Sequence, residues 1–343
     1  MRMFKKVSDP RYYAWLLVVA ALTLPGAPVH KSAAQSATVL RFASLVPPGS
    51  PFMKVLKAWN RSVQEQTEGR VQLRFYSGGS QGDERDYVRK MRAGQLDAAA
   101  ISSIGLGMLA RPILVLSAPG VIHNYEELGR VQKSLSPRFE QMIDEAGFQL
   151  LAWGTSGEVR LFSKQRIEAP DDLKKVRPWA WKDDPIFTAF LRVIGANPVR
   201  LGIGEVYGGL QTGMIDVVPC SAVAVVALQW HTQLAYMTND TGGIILGATI
   251  VKNDKFETLS PEDQATLRQT ARRAGKFLDE LARRDDVTAY RSLLKRGVVE
   301  VDISAHEQAW ETAGAQTREN LVGRVYSRSL LEATQRAATG KSL

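Results

Sequence analysis

The chain has 343 residues, 45% of them hydrophobic and 23% charged, which is enough for two globular domains with full cores. Setting aside residues 1–34 leaves 39 Lys and Arg against 34 Asp and Glu, so the net charge falls from +9 to +5. So mild an excess argues against a nucleic-acid-binding surface. The only cysteine, Cys220, excludes an intramolecular disulfide and a multi-cysteine metal site.

Residues 1–34 have the three-part pattern of a secretory signal. Basic residues precede an apolar run at 14–22, Pro25-Gly26 follows it, and Ser32-Ala33-Ala34 offers small residues for cleavage. The apolar run is too short to span a bilayer, although a retained membrane anchor is the alternative. No cysteine follows the run, so no lipid anchor is predicted there. We expect a soluble, exported mature protein.

Strands and helices alternate through the first half of the mature chain. Strands are predicted at 39–46, 71–76 and 96–101, with helices between them at 51–67 and from Asp83 to 93. Pro51 suits the first turn of its helix, and Asp83 is a good N-cap. This order predicts a parallel sheet with helices on its faces.

The alternation continues beyond residue 120. We predict a long helix at 125–146, a strand at 148–153, a loop at 154–157, and strands at 160–163 and 177–181. A helical turn at 170–173, a helix at 184–194, a strand at 199–201 and a helix at 205–212 follow. The residues from Ile215, with the pattern of Asp216-Val217-Val218, predict a buried parallel strand, and 221–229 predicts a further helix.

A single long helix dominates the last third of the sequence. After a strand at 243–251, Ser260 and Pro261 give a strong helix start, and the apolar spacing continues to about residue 295. At 1.5 Å per residue, such a helix is roughly 50 Å long, enough to cross two lobes. A short strand at 298–301 and helices at 305–321 and 327–338 complete the chain.

Two segments 119 residues apart share one local pattern. Residues 90–97 and 209–216 both read as the end of a helix, a glycine, any residue, Leu or Ile, and then Asp. Gly94 and Gly213 are the glycines, and Asp97 and Asp216 are the acids. The repetition suggests two similar α/β lobes, although one such match could arise by chance.

Enzyme motifs are poorly represented. Residues 154–157 miss the spacing of a G-x-S-x-G elbow, and the glycines at 202–208 miss that of a dinucleotide-binding loop. The three histidines of the mature chain are widely scattered, so no metal site and no cofactor are predicted. Cys220 with His231 could form a nucleophile and base, but the apolar neighbours of Cys220 favour a buried, inert thiol.

The remaining polar groups suit ligand binding, because ligands of α/β proteins lie beyond the carboxyl ends of the strands. Arg160 is the most interesting cation, since a guanidinium binds a carboxylate through two parallel hydrogen bonds; the alternative is a solvated Arg at a strand edge. Trp179 and Trp181 point to one side of a strand, either into a core or into a cleft. Further candidates, each of which could instead be structural, are Asp83, Ser102, Ser103, Pro219 and Cys220.

The mature chain resembles the DctP-type periplasmic solute-binding proteins of tripartite ATP-independent periplasmic (TRAP) transporters. The motifs that carry the resemblance are Gln81-Gly82-Asp83-Glu84, Gly94-x-Leu96-Asp97, Pro170-Asp171-Asp172-Leu173-Lys174, Gly195-Ala196-Asn197-Pro198, Glu205-Val206-Tyr207 and Leu210-Gln211-Thr212-Gly213-x-Ile215-Asp216. The resemblance implies a receptor that closes on an organic acid and hands it to a membrane permease. It adds Glu84 and Tyr207 to the candidate binding residues.

The resemblance also implies an architecture. We expect two Rossmann-like α/β lobes with mixed sheets and a ligand cleft between them, as in type II periplasmic binding proteins. The expected divisions are a signal peptide at 1–34, a first lobe at 35–153 with part of 243–300, a second lobe at 154–242, a lobe-spanning helix at 258–296, and C-terminal helices at 303–343.

The sequence departs from the family pattern at the ligand. The Arg that clamps the ligand carboxylate in the family falls at Trp179, and Arg177 is displaced by two residues. An acid–Asn pair usual after the later strand is replaced by Val218-Pro219-Cys220. These changes favour an apolar monocarboxylate, or a ligand with little charge, over the dicarboxylate or sialic-acid-like ligand usual in the family. Alternatives to a transport receptor are a sensor module for a signalling partner and a periplasmic enzyme.

Overall fold

The computed structural model describes residues 37–239 and 242–340, and the predicted signal segment at 1–34 lies outside them. The strands are β1 Thr38–Ala43, β2 Val71–Tyr76, β3 Ala98–Ser102, β4 Phe148–Glu158, β5 Arg160–Ser163, β6 Trp179–Trp181, β7 Val199–Leu201, β8 Val217–Cys220, β9 Tyr236–Thr238, β10 Ile244–Lys252 and β11 Val299–Val301. The α-helices are α1 Pro51–Gln66, α2 Glu84–Arg92, α3 Ser103–Leu109, α4 Tyr125–Glu145, α5 Pro185–Val193, α6 Val206–Gln211, α7 Ala222–Ala227, α8 Asn253–Phe256, α9 Pro261–Lys295, α10 Glu307–Leu321 and α11 Arg328–Thr339.

The first sheet has five strands in the order β2-β1-β3-β10-β4. As predicted, β1 runs parallel to β2 and β3. The later strand β10 lies antiparallel between β3 and β4, so the sheet is mixed. Its buried side chains pack against α1 and α9 on one side and against α4 and the segment Arg111–Ser117 on the other.

The predicted loop at 154–157 is wrong. These residues continue β4 to Glu158, because β10 supplies pairing partners for them, such as Gly247 for Gly154 and Leu246 for Thr155. Only Val159 separates β4 from β5. The chain therefore passes from the first sheet to the second at Val159, several residues later than expected.

The second sheet has the order β11-β9-β5-β8, and β6 pairs with β7 in a small third sheet. The predicted parallel strand after Ile215 is corrected: β8 runs antiparallel to β5, with Arg160 opposite Cys220. A parallel bridge between Pro178 and Val217 is its link toward β6. Burial on both faces made the strand resemble a parallel one, because apolar runs report burial and not direction.

The predicted long helix is confirmed as α9, which has 35 residues and an N-cap at Ser260. Its N-terminal half packs against the first sheet through Leu267, Ala271 and Ala274, and its C-terminal half packs against the second through Ala289 and Leu293. It thus contributes to both cores. No helix in the described part of the chain is long and apolar enough to cross a membrane.

The two copies of the repeated sequence pattern make the same contacts. Arg41 donates to Asp97, and its Nε lies 2.8 Å from Oδ2; Arg177 donates to Asp216 with the same Nε–Oδ2 distance. In each copy the backbone N–H of the Asp also bonds the carbonyl of that Arg, at 2.9 Å. The predicted helix–Gly–strand repeat is therefore a repeat of structure as well as of sequence.

Candidate functional site

A cavity of about 1150 Å³ is lined by residues of all three sheets. Its wall is formed by the ends of β1 and β3, the start of α2, the stretch from β4 into β5, β6, the turn at 202–205 and the end of β8. Nine of the ten predicted binding residues line it: Asp83, Glu84, Ser102, Ser103, Arg160, Trp179, Trp181, Pro219 and Cys220. The strand ends therefore converge as expected for an α/β binding protein.

Tyr207 is the predicted binding residue that does not line the cavity. It lies in α6 and packs against the apolar cluster of the second sheet, with its hydroxyl 3.5 Å from Oγ1 of Thr232. The family motif placed it correctly on the helix, but a motif does not specify which face of a helix meets a ligand.

Arg160 lies on the cavity wall with a side chain that is only 11% exposed. It is not the solvated strand-edge Arg of the alternative interpretation. Nη1 donates to the carbonyl of Thr238 at 3.1 Å and to that of Asn239, and Nη2 lies 3.2 Å from Oε2 of Glu158. The guanidinium also covers the ring of Tyr290 at 4.5 Å. Among the described residues, Arg160 is the one Lys or Arg in the wall.

Asp83 combines the predicted helix cap with contacts across the cavity. Oδ1 accepts the backbone N–H of Glu84 at 2.7 Å. Oδ2 accepts Nε1 of Trp181 at 2.9 Å and the backbone N–H of Ile203 at 3.0 Å. Trp181 belongs to β6, and Ile203 begins the turn after β7. Asp83 therefore caps α2, as predicted, and also lines the cavity.

Glu84 is bonded entirely within the protein. Its carboxylate accepts the backbone N–H and the hydroxyl of Ser102, each at 2.7 Å, and the backbone N–H of Gly105 at 3.0 Å. Burial outweighs these hydrogen bonds and raises the pKa of Glu84 to about 7. Ser103 accepts from Ser117 at 2.7 Å. These groups shape the wall and hold α2 against α3.

Trp179 and Cys220 are largely core residues with one edge on the cavity. Trp179 is 3% exposed; its Nε1 donates to the carbonyl of Leu201 at 3.0 Å, and its ring packs edge-on against Trp230. Burial raises the pKa of the Cys220 thiol to about 12, so it stays protonated near neutral pH. Trp181 is more exposed and turns toward the cavity side of the same strand.

Sequence reasoning missed a column of aromatic rings in the cavity wall. Phe187 stacks on Phe190 at 5.9 Å, and Phe190 stacks on Trp310 at 6.0 Å. All three line the cavity. The spacing of Phe187 and Phe190 on a helix was a readable signal for α5, but nothing in the sequence indicates that α10 brings Trp310 to the same place.

Two further acidic groups of the wall, Asp184 and Glu205, accept hydrogen bonds from backbone N–H groups. Asp184 accepts the backbone N–H groups of Ile186 and Phe187, at 2.7 and 3.1 Å, and Glu205 accepts that of Gly202 at 2.7 Å. Burial raises the pKa of Asp184 to about 6. No group of three or more His, Cys, Asp or Glu that could hold a metal ion occurs among residues 37–239 and 242–340.

Comparisons with known proteins agree on one family. The profile of DctP, described as bacterial extracellular solute-binding protein, family 7, matches residues 42–322. The 2,3-diketo-L-gulonate-binding periplasmic protein YiaO of Escherichia coli is 25% identical over 315 residues, which is 89% of this chain and 93% of YiaO.

Solved structures with the same fold include TRAP periplasmic solute-binding proteins. One from Ralstonia eutropha, with bound (S)-2-acetolactate, has a TM-score of 0.82 at 21% identity, over 88% of this chain and 99% of that one. Another from Desulfovibrio salexigens, with bound orotic acid, has a TM-score of 0.82 at 17% identity, over 89% of this chain and 100% of that one.

Proposed function

Because the chain belongs to family 7 of the bacterial extracellular solute-binding proteins, we propose that its cavity binds an organic acid through Arg160 for uptake by a TRAP transporter. The family match confirms the resemblance drawn from the sequence motifs. The proposal that Arg160 contacts the acid rests on its position as the one described Lys or Arg in the wall.

The character of the wall favours a ligand with one carboxylate and an apolar body. The aromatic column and the rings of Trp179 and Trp181 offer apolar surface, while Asp83 and Asp184 are already bonded to backbone N–H groups. A second ligand carboxylate would be buried without a cation, which is costly. An apolar monocarboxylate therefore fits this wall better than a dicarboxylate.

The proposed setting is the periplasm, after removal of the signal at 1–34, with TRAP permease subunits as partners and no role for nucleic acid. The absence of a lipid-attachment cysteine in the sequence supports a freely diffusing receptor. We propose that two lobes of the receptor move relative to each other. One is built around the first sheet and the other around the second, and the chain crosses between them at Val159.

A binding role without catalysis is supported by the state of the one candidate nucleophile. The thiol of Cys220 has its pKa raised to about 12 by burial. The Nδ1 atom of His231 lies 3.5 Å from the carbonyl of Val225. A cysteine enzyme needs a thiolate, which this environment disfavours.

Thermal unfolding of the exported protein tests the proposal. A panel should include aliphatic and aromatic monocarboxylates, keto acids, dicarboxylates and sugar acids. A specific ligand at a hundredfold excess over Kd stabilises by about 2.7 kcal/mol. We expect the largest shift from an apolar monocarboxylate, and native mass spectrometry of co-purified material should identify it. A panel in which no acid raises the melting temperature would contradict the proposal.

A further inference from the structure

Asp83 uses its two carboxylate oxygens for different purposes. Oδ1 caps α2 through the backbone N–H of Glu84, and the side chain of Asp86 accepts the backbone N–H of Asp83 at 3.1 Å in return. The start of the helix is therefore satisfied without Oδ2. The second oxygen instead accepts both donors from the far side of the cavity, Trp181 Nε1 and the N–H of Ile203, which are 98 and 120 residues away in sequence.

The residues around Trp181 and Ile203 leave room for the Asp83 carboxylate. A Cβ atom placed on Gly202 would lie 3.1 Å from Oδ2 of Asp83, so a side chain there would press on the acceptor. Trp181 packs against the apolar clusters of both the first and the second sheet. Arg85 and Asp183 form an ion pair beside it. Hydrogen bonds to an ionised acceptor are about twice as strong as neutral ones.

We propose that Asp83 is a positioning residue of the binding site, whose carboxylate holds Trp181 and the turn at 202–205 against α2 and so keeps the cavity closed. The role in ligand retention rests on the proposed function, because a closed cavity delays the escape of a bound acid. The hydrogen bonds of Oδ2 to Trp181 and Ile203, which form this connection, do not depend on that function.

The decisive variants separate this connection from the helix cap. Asp83→Ser keeps a good N-cap residue but is too short to reach Trp181. Trp181→Phe removes the indole N–H and leaves Asp83 intact. Asn124→Ser is the matched control, since Asn124 caps α4 by accepting the backbone N–H of Glu127, away from this connection.

The measurements need no ligand. In ¹H–¹⁵N spectra, the indole resonance of Trp181 is the one that disappears in Trp181→Phe. In Asp83→Ser, this resonance should shift upfield, and the backbone amide of Ile203 should exchange its hydrogen with solvent at least tenfold faster. Small-angle X-ray scattering should give a larger radius of gyration for Asp83→Ser and Trp181→Phe and an unchanged one for Asn124→Ser.

An unshifted Trp181 indole resonance, or a radius of gyration that is the same in Asp83→Ser and the unmodified protein, would overturn the proposal. The test is independent of ligand identity. If the indole resonance shifts while no acid binds in the thermal panel, the proposed function fails and the positioning role of Asp83 stands.

Discussion

The carboxylate of Asp286 accepts the backbone N–H of Glu158 at 3.0 Å, so α9 holds the last residue of β4. The other oxygen of Asp286 accepts the N–H of Val223 in α7, at 2.9 Å. Asp286 is only 5% exposed, and burial raises its pKa above the ordinary value. One buried side chain of the long helix thus joins the chain where it leaves the first sheet to a helix of the second.

Gly157→Ala should destabilise the protein at this junction. Gly157 has a φ of +95°, and a Cβ there would lie 2.6 Å from Cγ of Asp286. We expect a loss of about 3 kcal/mol or more in the free energy of unfolding, measured by urea denaturation. Gly129→Ala, in the exposed interior of α4 with no atom near its Cβ, is the control and should stabilise by about 0.5–1 kcal/mol. Equal effects of the two substitutions would show that neither the positive φ nor the close contact with Asp286 restricts residue 157.

Arg160→Met should weaken binding of the acid found in the thermal panel by about a hundredfold, because the loss of hydrogen bonds to a charged group costs roughly 1.5–3 kcal/mol each. Titration calorimetry measures the affinity. The melting temperature of the empty protein should also fall, since Arg160 bonds Glu158 and covers Tyr290. Arg177→Met removes an Arg–carboxylate pair, with Asp216, away from the cavity and should leave the affinity unchanged. An Arg160→Met variant with the original affinity would exclude Arg160 as the ligand's cation.

Asp184→Asn should make the protein more stable at pH 8 and leave it unchanged near pH 3.5. The folded-state pKa of Asp184 is raised to about 6, so between about pH 4 and pH 6 the folded state keeps a proton that the unfolded state releases. Stability therefore falls as the pH rises through this window. Asn keeps the cap, because both N–H groups bond Oδ1. Denaturation at a series of pH values should show a gain of about 1–3 kcal/mol at pH 8; parallel pH profiles for the two proteins would refute it.

Asp97→Asn should have the opposite pH dependence. Burial disfavours ionised Asp97, but hydrogen bonds from Arg41 outweigh it and hold the pKa below the ordinary value. This stabilisation is present above about pH 4 and is lost as the pH falls through the lowered pKa. Because Arg41 is 36% exposed, we expect a loss of only about 1–2 kcal/mol at pH 7. The difference from the unmodified protein should shrink toward pH 3 in the same denaturation series.

Much of the fold could be predicted because local patterns determine it. Asp83, Asp184 and Ser260 mark helix starts through side chains that bond nearby N–H groups, and the periodicity of 261–295 specifies α9. Strand pairing could not be predicted. The insertion of β10 between β3 and β4, which makes 154–158 a strand, depends on residues almost 100 positions later.

The binding site, like the fold, could be predicted where local sequence determines it and not where distant segments meet. The rule that ligands meet the carboxyl ends of strands correctly placed Ser102 and Cys220 in the cavity wall, whereas Arg160 reaches the wall from the amino end of β5, opposite Cys220 of the antiparallel strand β8. It could not place Trp310, because α10 reaches the wall through tertiary contacts such as the packing of Trp310 on Phe190 of α5. Nor could it show that Trp181 bonds Asp83, since that contact depends on how two distant segments approach each other.

The burial of Cys220 has a practical consequence. It is the only cysteine of the chain; the residue is 6% exposed, and burial raises the pKa of its thiol to about 12. A cysteine introduced at an exposed position would then be the one thiol that reacts readily with a maleimide dye at neutral pH. The protein could carry an environment-sensitive fluorophore with every native residue of the cavity kept, which makes it a convenient starting point for an optical sensor of the acid it binds.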